Sequence, residues 1–317
     1  MERETYCVRF DPTDNYIAAA CGDGTIRVFN ILTKKEAFVF NNLQEPSPTT
    51  SVRWRPHNAP GVTKNVLISV NSNGKVQHWH TTSGSLIHTI SDNDNQLYCA
   101  DFRNDGTKFA TAGLDSKVRC YDETTKKLIM VMEGTPNNPG HSNRVFAAKF
   151  SKEDENTLLT GGWDSVVVRW DLRIGEPSMI YHGPYICGDG IDLQDNWLLT
   201  GSWRPEKQIQ LWQMDTGQGI DPIKWDANVK QPHAPCKIYS CQFHKSKGDL
   251  VLAGGSGTNE AKLFMSMSGH EKDWKVVCTI CELSRACYTV DFANQSEMFA
   301  IGGGDGFIRI FTIEKKA

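Results

Sequence analysis

The sequence predicts an all-β fold made of seven copies of one small sheet, and three observations carry that prediction. An aromatic residue closes a short β-like run seven times, at Phe29, Trp79, Tyr121, Trp170, Trp212, Phe264 and Phe311, with intervals of 50, 42, 49, 42, 52 and 47 residues. Six residues before these aromatics stand Asp23, Asn73, Asp115, Asp164, Glu206, Thr258 and Asp305, of which only Thr258 is neither acidic nor Asn. Just upstream of each lies an apolar run ending in small residues: 17–21, 66–70, 109–113, 158–162, 198–202, 250–255 and 298–303. Chance does not hold a polar turn and an aromatic at one separation seven times, and a fixed period of this length marks a repeat architecture.

The fourth copy shows what one unit is. Arg144 to Phe150 alternates as a first strand, Leu158 to Gly162 makes a second, and a turn at Trp163-Asp164-Ser165 leads to a third at Val166 to Asp171. A Gly-Glu-Pro turn then precedes a weaker fourth strand at Ser178 to His182. No segment sustains a 3.6-residue apolar period, so helices should be negligible. One such sheet cannot bury both faces alone. Packing seven around an axis buries them against each other and leaves only short edges.

Composition agrees with this reading and excludes several function classes. The chain has 317 residues, which at roughly 150 per domain suggests two domains, but closed β architectures of this size commonly form one. The 27 glycines and the many aromatic residues (Trp 9, Tyr 8, Phe 14) suit short strands joined by tight turns. A net charge of −3 shows neither the basic excess of a nucleic-acid binder nor an acidic tail. No apolar run reaches the roughly 18 residues a membrane span needs, and Met1-Glu2-Arg3-Glu4 lacks the apolar stretch of a secretory signal. The expectation is a soluble cytoplasmic protein, with nuclear or cytoskeletal and ciliary placement left open, whose ten cysteines are reduced and mostly buried.

Asp164-x5-Trp170-Asp171, preceded by Gly140-His141, resembles the WD-repeat family of β-propellers, and the resemblance runs over about residues 5 to 312. It implies a single seven-bladed propeller of four-stranded antiparallel blades over residues 5–317, with blades at about 5–42, 43–92, 93–134, 135–183, 184–234, 235–283 and 284–317. It also implies a hydrogen-bonded tetrad, which by position is His141, Thr160, Asp164 and Trp170; a buried turn carboxylate needs the donors that imidazole, hydroxyl and indole supply. Family members usually complete the last blade with a strand from the N-terminus, yet only about five residues precede Tyr6. The seventh blade is therefore expected to have three strands, or a poor fourth built from the termini, leaving an edge to which a partner adds a strand. The longest insertions, at 44–48 with 56–64, 135–141 and 217–235, read as loops between strands.

Catalytic and metal chemistry find little support. The glycine runs at 302–306 and 254–257 precede strands, whereas a phosphate cradle needs a helix N-terminus, so they read as tight turns. Cys278-x2-Cys281 has the spacing of half a zinc site but no second pair, and strand alternation sends its thiols to opposite faces. His78 and His80 flank Trp79 without a third ligand. The grouping His141–Thr160–Asp164 mimics a catalytic triad in composition only, because its hydroxyl should be buried. No catalytic residue, cofactor or metal is expected.

Recognition by the surface is the richer signal. The resemblance places the turn between second and third strands at the same propeller end as the entry to the first strand. Three successive units carry Leu114, Trp163 and Trp203-Arg204 there, where other units have Gly22, Ser72 and Gly304. Aromatic groups beside Arg are what interface hot spots are made of, against the plainer reading that each ring folds down over its own blade. Aligning the first strands on Phe10, Trp54, Phe102, Phe150, Phe243 and Phe292 puts Tyr6, Thr50, Tyr98, Phe146, Tyr239 and Tyr288 four residues earlier. The innermost strand lines the axial channel, so these rings are candidates to surround its mouth. Packing between blades accounts for about half of the aromatics, and partner contact is assigned to Tyr98, Phe146 or Tyr239. Certain family members grip an inserted basic or aliphatic side chain with such rings, and Asn143-Arg144-Val145-Phe146 resembles that pattern.

The stretch ending Trp170-Asp171-Leu172-Arg173 also resembles the Trp-Asp-x-Arg box of substrate receptors that dock onto cullin-type ubiquitin ligases, a reading in which Asp171 and Arg173 face the adaptor from the opposite end. The expected function is a non-catalytic scaffold, monomeric within a multiprotein assembly, that binds a peptide or protein on one propeller end. The ligase receptor is the alternative. Neither nucleic acid nor membrane is an expected partner.

Overall fold

The computed structural model describes residues 4–41, 46–59, 65–226, 235–246, 248–267 and 273–314. The expected insertions at 44–48, 56–64 and 217–235 lie partly outside these residues, and the one at 135–141 overlaps a two-stranded ribbon, Gly134–Thr135 with Asn138–Pro139. Among the described residues there is no helix.

Seven antiparallel meanders succeed one another along the chain. Sheet one holds Thr5–Phe10, Tyr16–Cys21, Ile26–Asn30 and Lys35–Phe40; sheet two Thr49–Trp54, Val66–Asn71, Lys75–His80 and Ser85–Ser91; sheet three Leu97–Phe102, Lys108–Gly113, Val118–Asp122 and Leu128–Met132. Sheet four follows with Val145–Phe150, Thr157–Gly162, Val166–Asp171 and Glu176–His182. Sheet five has three regular strands, Ile191–Gln194, Trp197–Gly201 and Ile209–Gln213, and two isolated bridges, Trp212 to Gly219 and Ile209 to Ile223, run along its outer side. Sheet six holds Lys237–Phe243, Leu250–Ser256, Ala261–Ser266 and Trp274–Ile280, and sheet seven stops at three strands, Cys287–Phe292, Met298–Gly303 and Ile308–Thr312. The first strand of each sheet packs against the first strand of the next, and that of sheet seven against that of sheet one. The protein is a seven-bladed β-propeller with a three-stranded last blade.

The core lies between blades. Second strands are apolar on both faces, as Val66–Asn71 and Thr157–Gly162 are buried at every position, because each face meets a neighbouring sheet. Outer strands such as Ser85–Ser91 are exposed almost throughout. The small residues ending the second strands have a steric cause. The first strand bulges beside them, and a Cβ at Gly113, Gly162 or Gly303 would run into the carbonyl oxygen of Gln96, Arg144 or Ala286.

A polar rung joins successive blades at the axis. The residue before the large apolar end of a first strand accepts the backbone N–H at the end of the following one: Asp101 from Phe150 at 2.9 Å, Asp192 from Phe243 at 2.9 Å, and Gln242 from Phe292 at 2.6 Å. Asp291 accepts from Phe10 at 2.7 Å and so closes the ring. Thr289 Oγ1 takes the Val8 N–H at 3.1 Å, and Asp14 receives the N–H groups of Asn294, Gln295 and Ser296 at 2.7 to 2.9 Å. Among the described residues, sheets one and seven are thus joined through their inner strands and the loops beside them, with no fourth strand on sheet seven.

Candidate functional site: an aromatic mouth at one end of the axis

In sheet four, His141, Thr160, Asp164 and Trp170 form one buried network. Trp170 Nε1 donates to Thr160 Oγ1 at 2.7 Å, His141 Nε2 lies 2.7 Å from the same oxygen, and His141 Nδ1 lies 2.7 Å from Asp164 Oδ2. The backbone N–H of Ser142 supplies a further donor to Asp164 at 3.0 Å. With the imidazole proton on Nδ1 these bonds run as one series from indole to carboxylate. Thr160 is fully buried, so its hydroxyl is spent inside the blade and offers nothing to a substrate. The indole–hydroxyl pair recurs in sheet two, Trp79 to Ser69 at 2.9 Å, and in sheet five, Trp212 to Thr200 at 2.9 Å.

The first strands bring seven aligned positions together at one end of the axis. Tyr6, Thr50, Tyr98, Phe146, Tyr239 and Tyr288 all line one cavity of about 400 Å³, and Asp189 lines it as the seventh. Asp189 stands four residues before Leu193, which pairs with Leu198 as Phe10 pairs with Ile17. The sequence alignment passed over the fifth unit because its first strand ends on Leu193 rather than on a large aromatic. The separation from that strand end was the available signal.

The rings form two arcs. Tyr98 stacks on Phe146 with centroids 4.6 Å apart and planes at 5°, Phe146 meets Trp163 at 5.0 Å, and Trp163 lies parallel to Tyr185 at 6.2 Å. On the other side Trp203 meets Tyr239 at 6.3 Å, Tyr239 meets Tyr288 edge-on at 5.2 Å, and Tyr288 meets Tyr6 at 6.0 Å. Trp163 and Trp203 therefore belong to the same belt as the channel rings. Both are half-buried, held down through Trp163 Nε1 to Cys187 Sγ at 3.1 Å and Trp203 Nε1 to Ser256 Oγ at 3.2 Å. Each also carries a cation on its face, Arg144 at 5.0 Å from the Trp163 ring and Lys237 at 4.0 Å from the Trp203 ring. Arg144, Lys237, Tyr185 and Asp189 were missing from the sequence expectation.

The remaining candidates lie elsewhere. Leu114 is half-buried at its turn, its N–H bonded to Gln96 O at 2.8 Å, and is outside the cavity lining. Arg204 lines a separate cleft of about 260 Å³ with His182 and Trp212. Asp171 and Arg173 form an exposed fork, with Arg173 Nη2 at 2.5 Å from Asp171 Oδ2 and Nε at 2.9 Å from Oδ1; the Arg173 side chain is 71% exposed. That guanidinium pushes the Asp171 carboxyl down to about 2. Cys278 and Cys281 are both exposed and free, and no metal-holding group of His, Cys, Asp or Glu occurs among the described residues.

Charge sits at the cavity floor. Asp189 bridges the guanidinium groups of Arg9 and Arg53, the second at 2.8 Å, and Arg53 Nε reaches Asp101 at 3.3 Å. Burial opposes ionisation of the Cys7 thiol beside them, but Arg9 and Arg53 outweigh it and hold the thiol below its ordinary range. At the rim, Tyr6 donates to Glu4 at 2.8 Å, and burial followed by that carboxylate raises the phenol far above its usual value. Burial likewise pushes the Cys187 thiol up to about 12. The cavity thus has ring walls, a charged floor and the Glu4 carboxylate at its rim.

Residues 3–30, 84–122 and 134–171 match the WD domain, G-beta repeat (WD40). The segment 84–122 starts just before the outer strand of sheet two and ends with the third strand of sheet three, so one sequence repeat straddles two blades. Among curated proteins, the chain is 23% identical over 176 residues to a "Guanine nucleotide-binding protein subunit beta" of Zea mays, covering 51% of this chain and 43% of that protein. It is 22% identical over 249 residues to "Cell division cycle 20.4, cofactor of APC complex" of Arabidopsis thaliana, covering 71% and 53%. A "Serine-threonine kinase receptor-associated protein" of Bos taurus is 22% identical over 286 residues, covering 77% and 75%. The chain spans about half the length of the first two. Matched repeats in three places and a closed ring of seven blades give this chain the repeat and the fold of the WD-repeat β-propellers.

Proposed function

We propose that the chain is a non-catalytic adaptor that takes an extended segment of a partner protein across the aromatic mouth, with one basic or aliphatic side chain inserted between the two arcs of rings. The observation that carries this is the convergence of all seven aligned first-strand positions on one cavity, flanked by Trp163 and Trp203. Half-buried Tyr and Trp are rigid and amphipathic, so they bind with little loss of side-chain freedom. Ring faces attract a cation, and Glu4 stands at the rim to meet one. The relatives' names describe components of assemblies, a subunit, a complex cofactor and a receptor-associated protein, which fits an adaptor. Affinity purification from native extract, wild type beside Trp163→Ala/Trp203→Ala, tests the reading. A partner set retained in full by the double variant overturns it.

The Asp171–Arg173 fork supports a second reading, docking onto a ubiquitin-ligase adaptor, because it presents an outward guanidinium already held in one geometry. Binding of the purified protein to such an adaptor, lost in Arg173→Ala, is its test; no binding by the wild type overturns it.

A further inference from the structure

The outer edge of sheet seven is built like a place for a strand. Ile308–Thr312 pairs with Met298–Gly303 on one side, and no described strand pairs with the other. Ile313 N–H donates inward to Glu297 O at 2.7 Å, so by alternation the amides of Ile308, Ile310 and Thr312 point outward. Beside this edge lies a cleft of about 650 Å³ between sheets one and seven, walled by Ile17, Phe29 and Ile31 on one side and Met298, Ile308 and Ile310 on the other. Phe307 stands at its margin, 65% exposed.

The other blades show what fills the equivalent space. The residue three before each closing aromatic is Ile26, Val76, Val118, Val167, Ile209 or Ala261, every one buried, whereas Ile308 is half-buried. Two residues on, Val28, His78, Cys120, Leu211 and Leu263 are at most 4% exposed and Arg169 of sheet four is half-buried, but Ile310 is 39% exposed. What covers them is a triplet on the outer strand: Phe38-Val39-Phe40, His88-Thr89-Ile90, Met130-Val131-Met132, Met179-Ile180-Tyr181 and Cys278-Thr279-Ile280. All five have a β-branched middle residue, and all but Cys278 at the ends are large. In sheet five Ile220 and Ile223 take the two end positions without a regular strand.

We propose that the edge Ile308–Thr312 accepts an antiparallel strand from a partner protein carrying the pattern large–β-branched–large, its second large residue opposite Ile308 and its first opposite Ile310. The added strand completes the seventh blade through main-chain bonds to the three outward amides and covers both isoleucines. This surface is on the rim, apart from the axial mouth, and stands whether or not the mouth binds a peptide. A second copy of the chain is the poorer occupant. The two-fold pairing that sets Ile308 against Ile310 also sets Arg309 directly opposite Arg309, and like charges across a strand pair repel.

A fluorescein-labelled peptide of this chain's own Lys35–Phe40 sequence, titrated into the full chain, tests the proposal. Saturable binding is expected, with slowed hydrogen exchange confined to 308–312. Ile310→Asp, at an exposed position, weakens it at least about tenfold while the melting temperature holds. Thr312→Pro removes one outward amide without disturbing the inner pairing and weakens it similarly. A peptide with Phe38 and Phe40 replaced by Asp does not bind. Three results overturn the proposal: no saturable binding; amides at 308–312 as protected in the isolated monomer as those at 26–30, meaning a segment of the chain itself fills the edge; or a dimer in solution that Ile310→Asp dissolves, meaning a second copy does.

Discussion

Asp291 accepts the N–H of Phe10 at 2.7 Å across 281 residues of sequence, and its other carboxylate oxygen lies 3.2 Å from Lys245 Nζ. This single buried side chain ties the last innermost strand to the first and is the counterpart of Asp101, Asp192 and Gln242 at three other joints. Asp291→Ala leaves a buried N–H without its acceptor and takes a carboxylate from Lys245, whose half-buried ammonium keeps Asn294 Oδ1 at 3.2 Å. The expected loss is about 1–3 kcal/mol in urea unfolding, with faster exchange at the Phe10 amide. A loss under about 0.5 kcal/mol shows that closure rests on apolar packing alone.

Acid should loosen the same joint. Burial raises the Asp14 carboxyl, but the N–H groups of Asn294, Gln295 and Ser296 outweigh it and leave it below its ordinary 3.8. A folded value below the unfolded one contributes stability that is complete above the unfolded value and lost as pH falls through the folded one. Stability measured downward from pH 5 should therefore decline, and Asp14→Asn should decline less steeply while being less stable at neutral pH. Parallel curves for the two proteins contradict this role.

Thr160 is the hub of the network in sheet four, taking the Trp170 indole N–H and meeting His141. Thr160→Val keeps shape and removes both bonds, so about 1–3 kcal/mol of stability is expected to go. Thr160→Ser keeps the hydroxyl and should recover most of it. Equal losses in the two variants point to packing of the Thr methyl instead.

Arg173 is the opposite case. Its fork with Asp171 is solvent-exposed, and such pairs contribute little to folding. Arg173→Ala should leave the melting temperature within about 1 °C of the wild type. A clear drop in melting temperature would give the fork a structural role and remove the reason to treat it as a docking device.

The period of the blades was legible because each copy must repeat the same three physical solutions: a polar turn, a closing aromatic, and a small residue where the first strand bulges against the second. Gly162 beneath Arg144 and Gly303 beneath Ala286 show why that last signal exists. The mouth was half legible. Tyr98, Phe146 and Tyr239 came from strand alignment, and Trp163 and Trp203 from their turns, but only the ring geometry joins them into one belt. Asp189 escaped because its strand ends on Leu193, and Arg9 and Arg53 because an arginine buried at an axis looks in sequence like one on a surface. Leu114 and Arg204 shared the turn positions of the two tryptophans, yet their side chains lie outside the mouth. The open edge was foreseen from the missing fourth strand, whereas the triplet that would fill it needed the pairing register.

The most direct test of the account is site-specific photo-crosslinking in native extract, with a benzophenone side chain placed at Tyr98 or Tyr239 in the mouth and, for comparison, at Leu86 on the exposed outer strand of sheet two. The mouth positions should each give one and the same discrete protein adduct, and that adduct should fade when Trp163→Ala/Trp203→Ala is introduced. Adducts from Leu86 alone, with none from Tyr98 or Tyr239, would contradict a partner seated at the mouth.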